Sequence, residues 1–286
     1  MDRLKRESYG KINLMLNIAG VREDGYHTLE TVMQTVGLYD TIEIVKKAEK
    51  GITMHCDLPY VPSDERNIAW KAADKFIAHT GFDGGLDITI QKTIPVGGGM
   101  AGGSTNAATV LNMLNEMCGM PIRDPELEAI ALSLGADVPF CLKKGPYLCE
   151  GIGEIMTRLA DMPKCFIVVC KPRASVSSKN AYGVYDQYPN QQHFDHTRMV
   201  QALRNRDIRA IAAAMGNSFE APIGELCPEI LEIKAKMLQM GALNAAMTGS
   251  GSVVFGLFDN VDLAHKTKNA LRAERYRTFC VRPVNR

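Results

Sequence analysis

Residues 95–106 read Pro95-Val96-Gly97-Gly98-Gly99-Met100-Ala101-Gly102-Gly103-Ser104-Thr105-Asn106. Five glycines within 97–103 cost backbone entropy unless something requires positive φ or a close approach. The flanks indicate what that is. Upstream, residues 86–94 (LDITIQKTI) alternate apolar and polar, the pattern of a strand, and Pro95 ends it. Downstream, Ala107, Ala108, Val110, Leu111, Leu114 and Met117 form a helical stripe that opens at about Ser104 and stops at Gly119 and Pro121. A glycine loop between a strand and a helix N-terminus turns successive backbone amides onto an anion, and the helix dipole adds to the attraction. On this reading a β-branched residue at Gly99 blocks the ligand's approach and leaves the fold intact.

Working outward, residues 11–19 also alternate. Ile12, Leu14, Leu16 and Ile18 fall on one face, and Lys11, Asn13, Met15 and Asn17 on the other. That predicts a half-buried strand with Lys11 and Asn13 pointing the same way. A turn with Asp24-Gly25 follows, then an extended segment at 28–37, a strand at 41–46 and a helix at 66–79. Asp124-Pro125 starts a further helix that ends at Gly135. Beyond it, strands at 146–150 and 155–159 flank Gly151-Ile152-Gly153, and a buried strand covers 165–171. The polar stretch 173–196 holds a short helix near 178–185. Helices near 197–204, 207–217 and 228–240, a strand at 252–258, a helix at 261–273 and a strand at 277–282 complete the chain. Strands and helices are segregated, which predicts an α+β protein, with a boundary that divides it into 1–158 and 159–286.

Composition sets the outer bounds. The 286 residues carry 33 basic and 32 acidic side chains, a net charge of +1, which argues against a dedicated nucleic-acid binder. The apolar share of 46% suffices for a sizeable core. No apolar run approaches the roughly 18 residues that span a membrane. The basic N-terminus mimics a signal peptide, but Asn13 and Asn17 interrupt the apolar stretch behind it. Eight cysteines form no CxxC pair and no zinc spacing, and so read as reduced residues of a cytoplasmic protein. Gly97-x-Gly99-x-x-Gly102 matches the dinucleotide fingerprint, yet the acidic residue at the required distance, Glu116, falls inside a helix. No glycine run continues into the Lys-Ser or Lys-Thr of a Walker A loop.

Residues 95–108 (PVGGGMAGGSTNAA) resemble the phosphate loop of the GHMP kinases, named for galactokinase, homoserine kinase, mevalonate kinase and phosphomevalonate kinase. Tyr9-Gly10-Lys11-Ile12-Asn13-Leu14 resembles that family's first motif, and Met247-Thr248-Gly249-Ser250-Gly251-Ser252 its third. Three further stretches are similar to one branch of the family: DGYHTL (24–29), GADVPF (135–140) and GIGE (151–154). Its acceptor alcohol is a methylerythritol carrying a cytidine diphosphate group. The resemblance spans nearly the whole chain. It implies a two-domain fold: an N-terminal nucleotide-binding α+β domain of ribosomal-protein type and a C-terminal ferredoxin-like α+β domain. The activity implied is transfer of the ATP γ-phosphoryl group to the 2-hydroxyl of that alcohol, in non-mevalonate isoprenoid precursor synthesis; homoserine or mevalonate is the alternative acceptor. ATP and Mg²⁺ are the implied cofactors, with no metal-binding carboxylate to name, and Ser104 or Thr105 as a contact for the ion.

The resemblance also assigns residues. Asp137 and Lys11 are catalytic. Pro95, Val96, Gly97, Gly98, Gly99, Met100, Ala101, Gly102, Gly103, Ser104 and Thr105 bind ATP. Asn13, Tyr26 and His27 bind the acceptor, and Tyr182 supplies a second stacking face for cytosine, in competition with Tyr185 and Tyr188. From the residues alone, Asp137 reads first as the N-cap of a short helix and Lys11 as a solvated strand-edge lysine; it is the resemblance that turns both toward catalysis. Two departures stand out. Gly10 occupies a place where alanine is commoner. Met100-Ala101 stands where Leu-Gly is typical, so the middle of the loop is expected to be slightly reshaped.

Overall fold

The structure, a computed structural model, describes residues 1–23, 25 and 27–285. Two long strands, β1 (Arg3–Val21) and β2 (His27–Lys47), each run through two compact units. The first unit comprises Met1–Gly10, Leu38–Val96 and Ala101–Lys143; the second comprises Lys11–Gly37, Gly97–Met100 and Lys144–Arg286. The segments expected at 28–37 and 41–46 are one strand, β2, because Gly37 does not interrupt it: its amide bonds to the Arg282 carbonyl at 2.9 Å.

In the first unit, β3 (Gly51–Cys56) pairs parallel with β4 (Gly85–Gln91), and β4 pairs antiparallel with the end of β2 in the register Thr41–Gln91 to Lys47–Gly85. The six-residue β3 is missing from the sequence reading, although Ile52, Met54 and Cys56 alternate with Thr53 and His55; it is short and lies at the sheet edge. Against the sheet pack α1 (Ile68–Thr80) and α2 (Gly102–Met117). The Asn67 side chain caps α1 by accepting from the Ala69 amide, and Gly81 ends it in the left-handed region. Ala72, Phe76, Leu111 and Leu114 fill the core with Ile42, Ile44, Ile88 and Ile90. α3 (Asp124–Leu132) and the single-turn α4 (Val138–Cys141) complete the unit.

In the second unit, β5 (Pro146–Gly151) pairs antiparallel with the first half of β2, and with β6 (Ile155–Arg158) through the expected glycine turn. A separate four-stranded sheet contains β7 (Phe166–Lys171), followed in the chain by α5 (Ser178–Gln187), α6 (His196–Arg204) and α7 (Ile208–Ala213). The two-residue β8 (Gly216–Asn217) pairs parallel with β1; α8 (Glu220–Leu226) and α9 (Glu229–Gln239) come next. β9 (Asn244–Met247), β10 (Val254–Phe258), α10 (Val261–Ala273) and β11 (Arg277–Val281) close the chain. The order β11-β7-β10-β9, all antiparallel, places the fourth strand beside the first and the third beside the second, the ferredoxin-like arrangement. Val168, Ile230, Ile233, Met237, Val254, Ala264 and Leu271 form its core.

One expectation fails in β1. Alternation predicts a solvent face, yet residues 10–18 are buried on both faces. The polar face is covered because its side chains are partners for the rest of the second unit, as the site shows.

Candidate active site

Three motifs far apart in sequence meet in one buried knot of the second unit. Lys11, 4% exposed, donates from Nζ to Asn13 Oδ1 at 2.8 Å, which confirms that the two share a face. That oxygen also accepts from the Gly249 amide at 2.9 Å and the Thr248 hydroxyl at 3.1 Å. The Asn13 amide donates to Thr248 Oγ1 at 2.9 Å, and Asn13 Nδ2 donates to Thr31 Oγ1 at 2.8 Å. The glycine loop joins through its carbonyls: Met100 accepts from the Lys11 amide at 3.2 Å, and Gly98 from the Val253 amide at 3.2 Å. Buried polar groups of this kind are costly when a partner is lost, so each one fixes the others.

The glycines serve this packing first. A Cβ on Gly99 would lie 2.1 Å from the Thr248 carbonyl oxygen, and one on Gly249 would lie 2.9 Å from that of Gly99. The sequence reading reserves Gly99 for a ligand; the structure uses Gly99 and Gly249 so that two turns of the protein can touch, and a substituted Gly99 therefore disturbs the fold as well.

The loop backbone suits phosphate. Gly97, Gly99 and Ala101, every second residue, have φ of 63°, 77° and 56°. Alternation between left-handed and ordinary conformations aims successive amides to one side, forming an anion nest. Helix α2 begins at Gly102, two residues earlier than expected, with no side-chain cap and no acidic residue in its first turn. Its first amides therefore depend on something other than a capping side chain, and an anion is the natural partner. Ala101 does not reshape the loop: it takes the left-handed conformation itself. That strain predicts that Ala101→Gly raises stability by about 0.5–1 kcal/mol with ATP affinity unchanged. Thermal unfolding checks this, and a fall in Tm contradicts it. Thr105 is buried and its hydroxyl donates to the Tyr9 carbonyl at 2.6 Å, so it anchors the helix; Ser104 is the half-buried hydroxyl of the pair. Among the described residues, no three His, Cys, Asp or Glu side chains cluster as a metal site.

Asp137 belongs to the first unit and is half-buried. It occupies the N-cap position of α4, but its side chain makes no capping bond, so the capping role does not account for it. In the second unit the His27 ring stacks on Tyr182 with centroids 4.6 Å apart, and its Nε2 lies 2.7 Å from Asp186 Oδ1. Tyr182 stands edge-on to Phe219 at 4.9 Å. The three competing tyrosines separate: Tyr185 is buried in the core, Tyr188 donates to Glu225 at 2.8 Å, and Tyr182 carries the stack. Tyr26 lies outside the described residues.

Sequence reading missed Lys171. Its ammonium donates to the carbonyls of Pro172 and Ala174 and to the hydroxyls of Ser175 and Ser252, at 2.5–3.1 Å. Burial lowers its pKa. It clamps residues 172–175 beside Gly97, whose added Cβ would reach Ser175 Oγ at 3.8 Å. A lysine closing an apolar strand was the only local sign.

Comparison with known proteins agrees with this geometry. A family model described as the GHMP kinases N terminal domain matches residues 67–145, and one described as GHMP kinases C terminal matches residues 199–277. The chain belongs to the GHMP kinase family. It is 39% identical over 278 residues to a Clostridium botulinum protein named 4-diphosphocytidyl-2-C-methyl-D-erythritol kinase, covering 97% of this chain and 99% of the relative. A Clostridium beijerinckii protein of the same name is 41% identical over 281 residues, covering 98% and 100%. A crystal structure of 4-(cytidine 5'-diphospho)-2C-methyl-D-erythritol kinase aligns with a TM-score of 0.85 at 32% identity, over 99% of this chain and 100% of that one. A homoserine kinase from Cytophaga hutchinsonii shares the fold, with a TM-score of 0.75 at 19% identity over 100% and 96%.

Proposed function

We propose that this chain transfers the γ-phosphoryl group of ATP to the 2-hydroxyl of 4-diphosphocytidyl-2-C-methyl-D-erythritol, giving the 2-phosphate and ADP, in non-mevalonate isoprenoid precursor synthesis. The observation that carries the choice of acceptor is the His27–Tyr182 stack. It is an aromatic platform suited to a pyrimidine ring, and homoserine and mevalonate have no ring to place on it. The names of the full-length relatives point the same way.

Residue roles follow from the family resemblance and the local geometry. The Pro95–Thr105 segment holds the ATP phosphates through its amides. Mg²⁺ with ATP supplies the transferable phosphoryl group and neutralises charge on the phosphates. Among the described residues no three His, Cys, Asp or Glu side chains cluster, and the Ser104 hydroxyl is the protein group that would contact this ion, with phosphate oxygens as its other natural ligands. Asp137 orients the acceptor hydroxyl and takes its proton. Lys11, held by Asn13, offsets the developing negative charge. Tyr26, His27 and Tyr182 hold the cytidine, and Asn13 borders the acceptor. Asp186, at His27 Nε2, selects the tautomer that leaves Nδ1 as an acceptor.

We place the family's two domains at 1–158 and 159–286, since the matched regions 67–145 and 199–277 fall on either side of that boundary. The compact units divide the chain differently because β1 and β2 pass through both. A cytoplasmic location suits eight free cysteines. Among the described residues no helix is long and apolar enough to cross a membrane.

The test is coupled ADP release with the cytidine substrate, homoserine and mevalonate in parallel. The expected result is turnover with the cytidine substrate alone. Preference for another alcohol would reject the acceptor assignment.

A further inference from the structure

The two flanks of the glycine loop converge on one buried charge in the first unit. Asp40 is fully buried, the Lys92 side chain is 4% exposed, and the two form an ion pair. Asp40 Oδ1 accepts from the amides of Thr93 at 2.7 Å and Ile94 at 2.8 Å, the residues just before Pro95. Its Oδ2 accepts from Asn106 Nδ2 at 2.9 Å. Asn106 sits early in α2 and is itself buried; its Oδ1 accepts from Lys92 Nζ at 3.0 Å, and its Nδ2 also donates to Ser8 Oγ at 3.0 Å. One carboxylate thus holds the chain entering the loop and the helix leaving it.

The sequence carries the sign of this arrangement. Asp40 is in phase with the buried residues Leu38, Ile42 and Ile44, and Lys92 with Leu86, Ile88, Ile90 and Ile94. The register that pairs Thr41 with Gln91, carried one step further, sets Asp40 opposite Lys92. A buried ion pair is a poor way to add stability, because desolvation offsets the attraction and apolar residues of the same volume serve as well. Apolar residues would not tie two backbone amides to a helix side chain.

We infer that Asp40, with Lys92 and Asn106, is a positioning element for ATP: it sets the spacing and angle of the two ends of the phosphate loop. This rests on the kinase reading above. None of the three need touch the nucleotide; they act through the loop, whose amides lose their common aim when one end shifts.

The test measures MgATP binding by calorimetry alongside steady-state kinetics. Asp40→Asn is expected to weaken MgATP binding by about 10–100-fold, while kcat at saturating ATP and KM for the cytidine substrate change little. A general loss of structure would move all three. The double variant Asp40→Asn with Lys92→Met is expected to recover most of the affinity. Its amide at position 40 still accepts from Thr93 and Ile94, and donates to Asn106 Oδ1 once the Asn106 side-chain amide turns over, which the loss of the Lys92 ammonium from that oxygen permits. A folded Asp40→Asn variant that binds MgATP normally overturns the inference, and so does a double variant as weak as the single one. Should Asp40→Asn not fold, Asn106→Ala decides, since it cuts the helix tie and keeps the ion pair: weakened MgATP binding supports the inference and normal binding overturns it. A wild-type chain that binds MgATP but ignores the cytidine substrate rejects the acceptor and leaves this inference standing; one that binds no MgATP rejects both.

Discussion

Asp137→Asn is expected to lower kcat by about 10²–10⁴-fold, the range for loss of a positioned general base, with MgATP and the cytidine substrate still bound. The substitution keeps the shape and removes the basic oxygen. It also separates the two readings of this residue. Asn is as good an N-cap as Asp, so a purely capping Asp137 would tolerate the change with turnover intact. The side chain makes no bond to the amides of α4, which already speaks against capping. Phosphoryl transfer depends on an aligned hydroxyl and on charge stabilisation more than on covalent help, so some residual rate is expected. The measurement is kcat with calorimetry for each substrate. Near-normal turnover in a folded variant would remove Asp137 from the chemistry.

Gly99→Ala is expected to weaken MgATP binding by about 10²-fold or more and to lower stability by about 1–3 kcal/mol together. The cause is steric. At φ 77° the new methyl would sit 2.1 Å from the Thr248 carbonyl oxygen and 2.9 Å from its carbon. Neither side has room to withdraw. Thr248 is held by its amide on Val253 at 2.9 Å, and Gly249 by Asn13 at 2.9 Å. The loop is held by the carbonyls of Gly98 and Met100. Relief requires breaking some of these bonds, which turns the loop amides away from their shared direction. Calorimetric titration and thermal unfolding give the two numbers. A variant with normal stability and affinity would mean the loop is not seated on the Thr248 turn. Loss of affinity at full stability would restore the simpler picture, in which Gly99 only makes room for phosphate.

Most of the candidate site was legible, in a particular sense. Lys11, Asn13, the glycine loop, His27, Tyr182 and Asp137 were all marked by local spacing or by motif resemblance, and the structure gathers Lys11, Asn13 and residues 97–100 with Thr248 and Gly249. What escaped were residues whose role depends on a partner distant in the chain. Asp40 and Lys92 are 52 residues apart, and each looks like an ordinary charge until the β2–β4 register is known. Lys171 needs Ser252, 81 residues away, to explain it.

The sequence by itself determined the elements whose signals are local. These include the helix at 261–273, expected with the bounds the structure gives it and capped by Asn260, and the strand, loop and helix around Gly97–Gly103. Periodicity and capping are written within a few residues, so a single window suffices to read them. Only the tertiary structure decided that β1 is buried on both faces, that β2 is unbroken, that short β8 and β9 exist, and that Gly99 is a glycine for the sake of Thr248. For β1, β2, β8 and Gly99 the deciding atom belongs to a segment more than a hundred residues away, whereas β9 is decided by its neighbour β10 across the Met247–Val254 turn. Burial, pairing and steric exclusion are properties of neighbours in space, and no spacing along the chain encodes which neighbours those will be.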